Sequence, residues 1–223
     1  MPDLRLLSYN VHSLRDDLDA LAEVVRAAAP DVMVVQEAPR RFRWRARSAD
    51  LARRLGLVVA GGGQPALGNL VLTSLRVRVH GHWCLQFPLT PGRHLRGAVV
   101  VDCEVGRSRF AVAGSHLATD AGERPTQAAI LRRALTEVTD PLLLGVDVNE
   151  TPDGAAWRIL TQGLRDAAGG VDTPTFPVSG PRGRIDAVIV DPRVRVLDYR
   201  VFDPPAARRA SDHFPLLVDV QLP

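Results

Sequence analysis

Apolar residues in this chain gather in short runs that end in polar ones, and their spacing predicts a β-α-β opening, then a stretch of consecutive strands. Leu4–Val11 reads as a strand that delivers Asn10 and His12 at its far end. Ser13 follows as the expected N-cap of a helix with Asp16 and Asp17 in its first turn. Leu18, Leu21, Ala22, Val25 and Ala29 recur at helical spacing until Pro30. Val32–Val35 is a second buried strand, ending in Gln36 and Glu37, and the β-α-β order argues for parallel pairing. A helix from near Phe42 to Leu55 stops at Gly56. From Leu57 to Leu117 the period shifts towards two, which predicts a meander of strands at 57–60, 69–73, 76–87, 97–105 and 108–117. A helix over Arg124–Val138 leads into the run Leu142–Val148. On an extended chain Asp147 and Asn149 point to one side at the C-terminal end of that strand, where α/β sheets place ligands. Thr151–Gly154 closes the run as a turn, and a shorter helix spans Gly154–Gly163. The Pro-, Gly-, Thr- and Ser-rich stretch 169–183 is the longest loop candidate, and it feeds a strand over Gly183–Val190. After a final strand pair, Ala210–Leu216 precedes the C-terminal strand.

Length and composition narrow this picture. At 223 residues the chain is most simply one domain, 1–223, with enough apolar residues (46%) for a substantial core and an ordinary charged fraction (24%). No run approaches the roughly 18 apolar residues of a membrane span, and no basic, apolar leader opens the sequence, so a cytoplasmic protein without a membrane span is expected. Cys84 and Cys103 suggest no disulfide framework and fit a reducing compartment. His80, His82 and Cys84 share one parity on a strand, but a structural zinc site wants four ligands and no second pair is evident.

The net charge is only +3, yet all 28 basic residues are arginine. Arginine presents a planar fork that grips phosphate bidentately and stacks on bases. The densest basic stretch, Arg40–Arg54, interleaves Phe42 and Trp44 and follows directly from Glu37. Two readings stay open for it: a solvated helix face, or a surface that faces phosphate.

Eight polar groups stand at the ends of apolar runs: Asn10, Glu37, His116, Asp147, Asn149, Asp186, Asp212 and His213. Acids are expensive to bury without partners, so their recurrence at such ends points to one shared site. Phosphoester hydrolysis needs a positioned water, positive charge at the phosphate oxygens and help for the leaving alkoxide. Oxygen ligands suit a hard, hydrated cation better than zinc.

The segments SYNVH (8–12), VVQE (34–37), GNLVLTS (68–74), LRG (95–97), GSHL (114–117), GVDVNE (145–150), RIDAVIV (184–190) and SDHFPL (211–216) follow one another in an order and spacing that resemble the endonuclease/exonuclease/phosphatase superfamily. That group includes deoxyribonuclease I, apurinic endonucleases, inositol polyphosphate phosphatases and neutral sphingomyelinases. The resemblance implies a four-layer α/β sandwich, two mixed β-sheets packed face to face with helices outside. It also implies roles. Glu37 is the main carboxylate ligand of Mg²⁺ or Mn²⁺, with Asn10 and Asp212 close to that ion. Asp147 orients or deprotonates the attacking water, and Asn149 donates to a phosphate oxygen. His213 sits at the scissile phosphate with Asp186 holding its tautomer. His116 stabilises charge on the phosphate or leaving group, and Arg96 stands at the edge of the site. The expected activity is a metal-dependent phosphoester hydrolase with in-line attack by water, a nuclease on DNA by preference. A phosphatase or phosphodiesterase on a small or lipid phosphoester is the alternative, and a catalytically silent nucleic-acid-binding module is a third reading. The tryptophans of the exonuclease III-type apurinic branch have no counterpart before RIDAVIV, where Phe176 is the one aromatic, and the chain lacks the lysines of the inositol phosphatase signatures.

Overall fold

The computed structural model describes all residues from Met1 to Pro223. In chain order the elements are β1 (Asp3–Asn10), α1 (Leu18–Ala28), β2 (Val32–Gln36), α2 (Trp44–Leu55), β3 (Val58–Gly63) and β4 (Asn69–Thr73), then β5 (Arg78–Gln86), β6 (Gly97–Val105), β7 (Ser108–His116), α3 (Arg124–Leu135), β8 (Leu142–Asp147), α4 (Ala155–Leu160), β9 (Arg165–Asp166), β10 (Asp186–Val190), β11 (Arg195–Val201), α5 (Ala207–Ala210) and β12 (Leu216–Gln221). They build two six-stranded sheets, ordered β11-β12-β1-β2-β4-β3 and β5-β6-β7-β8-β10-β9. Each sheet holds one parallel pair at its centre, β1 with β2 and β7 with β8, among antiparallel neighbours. No helix is long and apolar enough to cross a membrane.

Alternation along the strands produces the layers. Leu4, Leu6, Val32, Val34, Val71, Val112, Leu143 and Val188 face the opposite sheet and form the central core. Their neighbours Leu7, Tyr9, Met33, Val35 and Leu70 face the other way and pack under α1, α2 and α5. Ala111, Ala113, Leu144, Val146 and Ile189 pack likewise under α3 and α4. Periodicity along a strand reports which of its faces is buried and not which sheet it joins, so the 57–117 segment carries no mark of where the chain changes sheet. The predicted single meander is in fact divided: β3 and β4 join β2 in the first sheet, and β5–β7 begin the second.

The helix start differs from expectation as well. Asp17, not Ser13, caps α1, its Oδ1 accepting the N–H groups of Asp19 and Ala20 at 2.9 and 3.0 Å. Ser13 lies in a short 3-10 turn at φ 55°, and His12 and Leu14 on either side are also at positive φ, so a right-handed helix cannot run on from Ser13.

Candidate active site

On the face turned towards the opposite sheet, five strands change from apolar to polar at the same end of the sandwich. Leu4 and Leu6 give way to Ser8 and Asn10, Val34 to Gln36, Val112 to Gly114 and His116, Leu143 to Gly145 and Asp147, and Val188 to Asp186. Register then aligns them: His116 pairs with Asp147 across β7 and β8, and Asp147 with Asp186 across β8 and β10. Gly114 and Gly145 are partners in the same register, and both lie where the two sheets approach closely. A Cβ on Gly145 would stand 2.8 Å from Ser8 Oγ, and one on Gly114 2.8 Å from Val34 Cγ1.

Asp147 is the centre of the cluster and is 1% exposed. Its Oδ2 accepts Asn10 Nδ2 at 2.9 Å and lies 3.1 Å from His116 Nε2, and its Oδ1 accepts the Asn149 N–H at 3.1 Å. Arg96 Nη1 donates to His116 Nδ1 at 3.0 Å, and because a guanidinium can only donate, the His116 proton is on Nε2, facing Asp147. Burial, helped by Arg96 and His213 and opposed by Asp147, pulls His116 down to about 3, so this ring is neutral. Burial also lowers the Arg96 guanidinium from its ordinary value, against the attraction of Asp147 and Glu37.

His213 is held differently. Burial disfavours its charge, but Asp186, Asp147 and Asp212 together outweigh that and push it up to about 10. Its Nδ1 donates to Asp186 Oδ2 at 2.9 Å, which leaves Nε2 3.9 Å from Asp147 Oδ2. One neutral and one protonated histidine therefore flank one carboxylate, an arrangement that separates donor roles at one site. Asn149 is not on an extended strand: β8 ends at Asp147, and Asn149 adopts φ 57°. That left-handed turn swings its amide back, so that Nδ2 donates to the Leu117 carbonyl at 3.0 Å and lies 2.9 Å from His116 Nε2. Glu150 of the same segment takes no part, accepting the Trp157 N–H at 2.9 Å and Arg124 Nε at 3.2 Å.

Glu37, Arg96, His116 and Asp212 line an open pocket of about 570 Å³ above this cluster. Glu37 Oε1 is 4.0 Å from His116 Nδ1, and Asp212 Oδ2 is 3.8 Å from His12 Nε2. All nine residues singled out in the sequence thus meet at one end of the sandwich. Glu37 and Asp212 are partly exposed carboxylates that line the pocket, and oxygen ligands of this kind fit a hard divalent cation. Asp147, Asp186 and His213 also bring ligand atoms within 4.8 Å of one another. Asp186 Oδ2 is already engaged by His213 and by the Thr175 hydroxyl at 2.6 Å, so Thr175, Asp186 and His213 form a hydrogen-bonded chain beside Asp147.

Several participants carried no sequence signal. Ser13 Oγ donates to Glu37 Oε2 at 2.7 Å, and Thr175, buried in the predicted loop, fixes Asp186. The Phe176 ring packs against the His213 ring with centroids 4.7 Å apart. His12 bridges towards acids on both sides, Asp16 Oδ2 at 2.7 Å from its Nδ1 and Asp212 from its Nε2. Ser13, Thr175 and His12 are polar residues in turns or loops, positions whose default reading is a cap or a solvated side chain. Asp186 does not pair with nearby Arg184, which lies over the Trp157 ring and pairs with Asp166 and Asp172.

A buried acid–amide–histidine cluster at the open end of a two-sheet α/β sandwich defines the deoxyribonuclease I-like class. The chain belongs to the endonuclease/exonuclease/phosphatase family, which it matches over residues 7–213 and whose members are phosphoester hydrolases. A search of curated proteins gives no match. Among solved structures, the chain is similar to an endonuclease/exonuclease/phosphatase from Bacteroides vulgatus, at 18% identity over 100% of both chains with a TM-score of 0.81. It is also similar to a mannosyl-6-phosphatase from Bacteroides thetaiotaomicron, at 16% identity over 98% of this chain and 100% of that one, TM-score 0.81. D. rerio TDP2 complexed with a single-strand DNA product matches at 16% identity over 99% and 100% of the two chains, TM-score 0.79.

Proposed function

We propose that this protein is a divalent-cation-dependent phosphoester hydrolase in which water attacks a phosphodiester in line, with DNA as the preferred substrate. The observation that carries this reading is the convergence of Asn10, His116, Asn149 and His213 on one buried carboxylate, Asp147. Glu37, with Asn10 and Asp212, would hold Mg²⁺ or Mn²⁺. Such an ion neutralises phosphate oxygens as a Lewis acid when bound. Asp147 orients the attacking water and takes its proton, held by Asn10 and by the Asn149 backbone. His213, fixed by Asp186, presents Nε2 to the scissile phosphate, and Asn149 offers its amide to a phosphate oxygen. Neutral His116, with Arg96 behind it, stabilises charge on the phosphate and leaving group. Because these donors are in place before substrate arrives, little reorganisation opposes the reaction. The cytoplasm is the proposed compartment, on the sequence reading of the two cysteines, and cell fractionation checks it.

The DNA preference draws support from the similar fold that holds a single-strand DNA product and from the basic side chains around the pocket. A second reading, a phosphatase on a small phosphorylated molecule, draws on the same basic side chains, which line one pocket of about 570 Å³ beside the cluster. The fold shared with a mannosyl-6-phosphatase is consistent with it. Hydrolysis of plasmid DNA and of a panel of small phosphomono- and diesters, with Mg²⁺ or Mn²⁺ and an EDTA control, separates the two. Metal-dependent nicking with little monoester turnover is the expected result. Monoester release with intact plasmid selects the phosphatase, and no hydrolysis of any substrate leaves a binding module.

A further inference from the structure

We infer that Arg15, Arg40, Arg41 and Arg47 form an anion subsite for a second phosphate group of the substrate, apart from the one that reacts. The inference rests on the hydrolase reading and adds a substrate class to it. The four side chains come from three segments: the turn after β1, the loop after Glu37 and the first turn of α2. All line the pocket that also contains Glu37 and His116. With Arg96 the lining has five arginines against two carboxylates, Glu37 and Asp212.

That excess is not compensated within the protein. Further along α2, Arg53 and Arg54 pair with Asp50 and Asp19. No carboxylate stands within ion-pair distance of Arg15, Arg40, Arg41 or Arg47, whereas thirteen other arginines have one. Within the Arg40–Arg54 stretch, Arg40, Arg41 and Arg47 therefore line the pocket, Arg53 and Arg54 are neutralised by acids, and Arg45 lies over the Trp44 ring. Arg40 is also fixed in place, its Nη1 donating to the Leu67 and Leu95 carbonyls at 3.3 and 3.4 Å. Guanidinium groups do not deprotonate, so like charges gathered in one cavity are stabilised by an anion that bridges them. In the proposed function the reacting phosphate is met by His213, Asn149 and His116, with Arg96 behind His116. The remaining four forks fit a phosphate monoester, whose dianion takes more of them than a diester can.

Only two of the fifteen lining residues are hydrophobic, which argues against an acyl chain as the occupant. The pocket volume is within the roughly 300–1,000 Å³ that holds a small ligand or one nucleotide. The substrate class is therefore a phosphoester that carries a second, terminal phosphate. A 5′-phosphorylated DNA end and a small bisphosphate both supply that chemistry.

The test compares two substrate pairs, in wild type and in the Arg41→Gln/Arg47→Gln variant, both positions being exposed. One pair is a single-stranded DNA oligonucleotide with and without a 5′-phosphate; the other is a hexose bisphosphate and the matching monophosphate. Wild type is expected to prefer the doubly phosphorylated member of one pair by about tenfold in kcat/KM, the scale of one charge-assisted contact, and the variant to lose that preference. The pair that shows the preference identifies the source of the phosphate. Equal rates within both pairs, or a preference that survives in the variant, overturn the subsite while leaving the hydrolase reading intact. If nothing is hydrolysed, the hydrolase reading fails by itself, and calorimetry with inorganic pyrophosphate in EDTA judges the subsite: binding that the variant weakens several-fold supports it, and binding equal in both proteins overturns it.

Discussion

Glu37 adopts φ 59°, a left-handed backbone that a residue with a Cβ enters at a cost of about 1–2 kcal/mol, and Ser13, which holds its carboxylate, sits at φ 55°. Two strained residues joined by one hydrogen bond aim a carboxylate that would otherwise sample several rotamers. Ser13→Ala should therefore raise the Mg²⁺ concentration needed for half-maximal activity several-fold, with the rate at saturating Mg²⁺ mostly kept; an unchanged metal titration would detach Ser13 from that role. Glu37→Ala should weaken metal binding and activity together. His213→Ala should lower turnover by roughly 10²–10⁴ while metal binding, followed by calorimetry, stays near wild type. A near-normal rate in either variant contradicts the role proposed for that residue. At this scale the site was widely legible in the sequence, because acids and amides at the ends of apolar runs are conspicuous. Ser13 and Thr175 were not, since a hydroxyl beside a turn looks the same whether it caps a helix or fixes a carboxylate.

The paired glycines of β7 and β8 let the two sheets close up just before the chemical groups begin. Gly145→Ala places a methyl group 2.8 Å from Ser8 Oγ and 3.0 Å from Val34 Cβ, and neither buried neighbour has room to withdraw. The variant should lose about 1–3 kcal/mol in denaturant unfolding and, because Asp147 lies two residues further along the strand, lose activity disproportionately. Stability near that of wild type would mean that the sheets separate locally at little cost. The N-terminus of α1 gives a pH-dependent expectation. The Ala20 N–H, against partial desolvation and with help from the Asp19 N–H and Arg209, holds the Asp17 carboxyl below its usual range. A carboxyl depressed in the folded chain contributes stability above its unfolded value, near about 3.9, and loses it as pH falls through the folded value. Asp17→Ala should therefore lower Tm at pH 7, and the gap from wild type should narrow under strongly acidic conditions; a gap independent of pH would assign the effect to packing. The sequence placed this helix correctly but capped it at Ser13, because both residues suit the position and only the left-handed turn at His12–Leu14 decides between them.

Across the whole molecule, both sheets contribute to one central cluster, with Leu4, Val34 and Val218 from the first and Val99, Phe110 and Val188 from the second. Neither sheet keeps a covered inner face without the other. We therefore propose that residues 1–223 unfold as a single unit, with coincident transitions by far-ultraviolet circular dichroism and tryptophan fluorescence. Two separated transitions would mean that the sheets are independent domains. The same architecture concentrates function at one rim: the strands that supply the core end in the groups that supply the site, so core packing sets the spacing of Asn10, His116, Asp147 and Asp186.

The sequence by itself determined the order of the main elements, though not β9 or α5, the family and nearly all of the polar groups at the site, because periodicity and residue type are local properties that each strand carries independently. Which strands share a sheet, how Asn149 turns back to His116 and which arginines of the 40–54 stretch face the pocket were decided only by the tertiary structure. These depend on register, on a left-handed turn and on the acids that happen to lie nearby in space. An apolar run buried on both faces looks alike in either sheet, and an arginine looks alike whether an aspartate or a substrate phosphate will neutralise it.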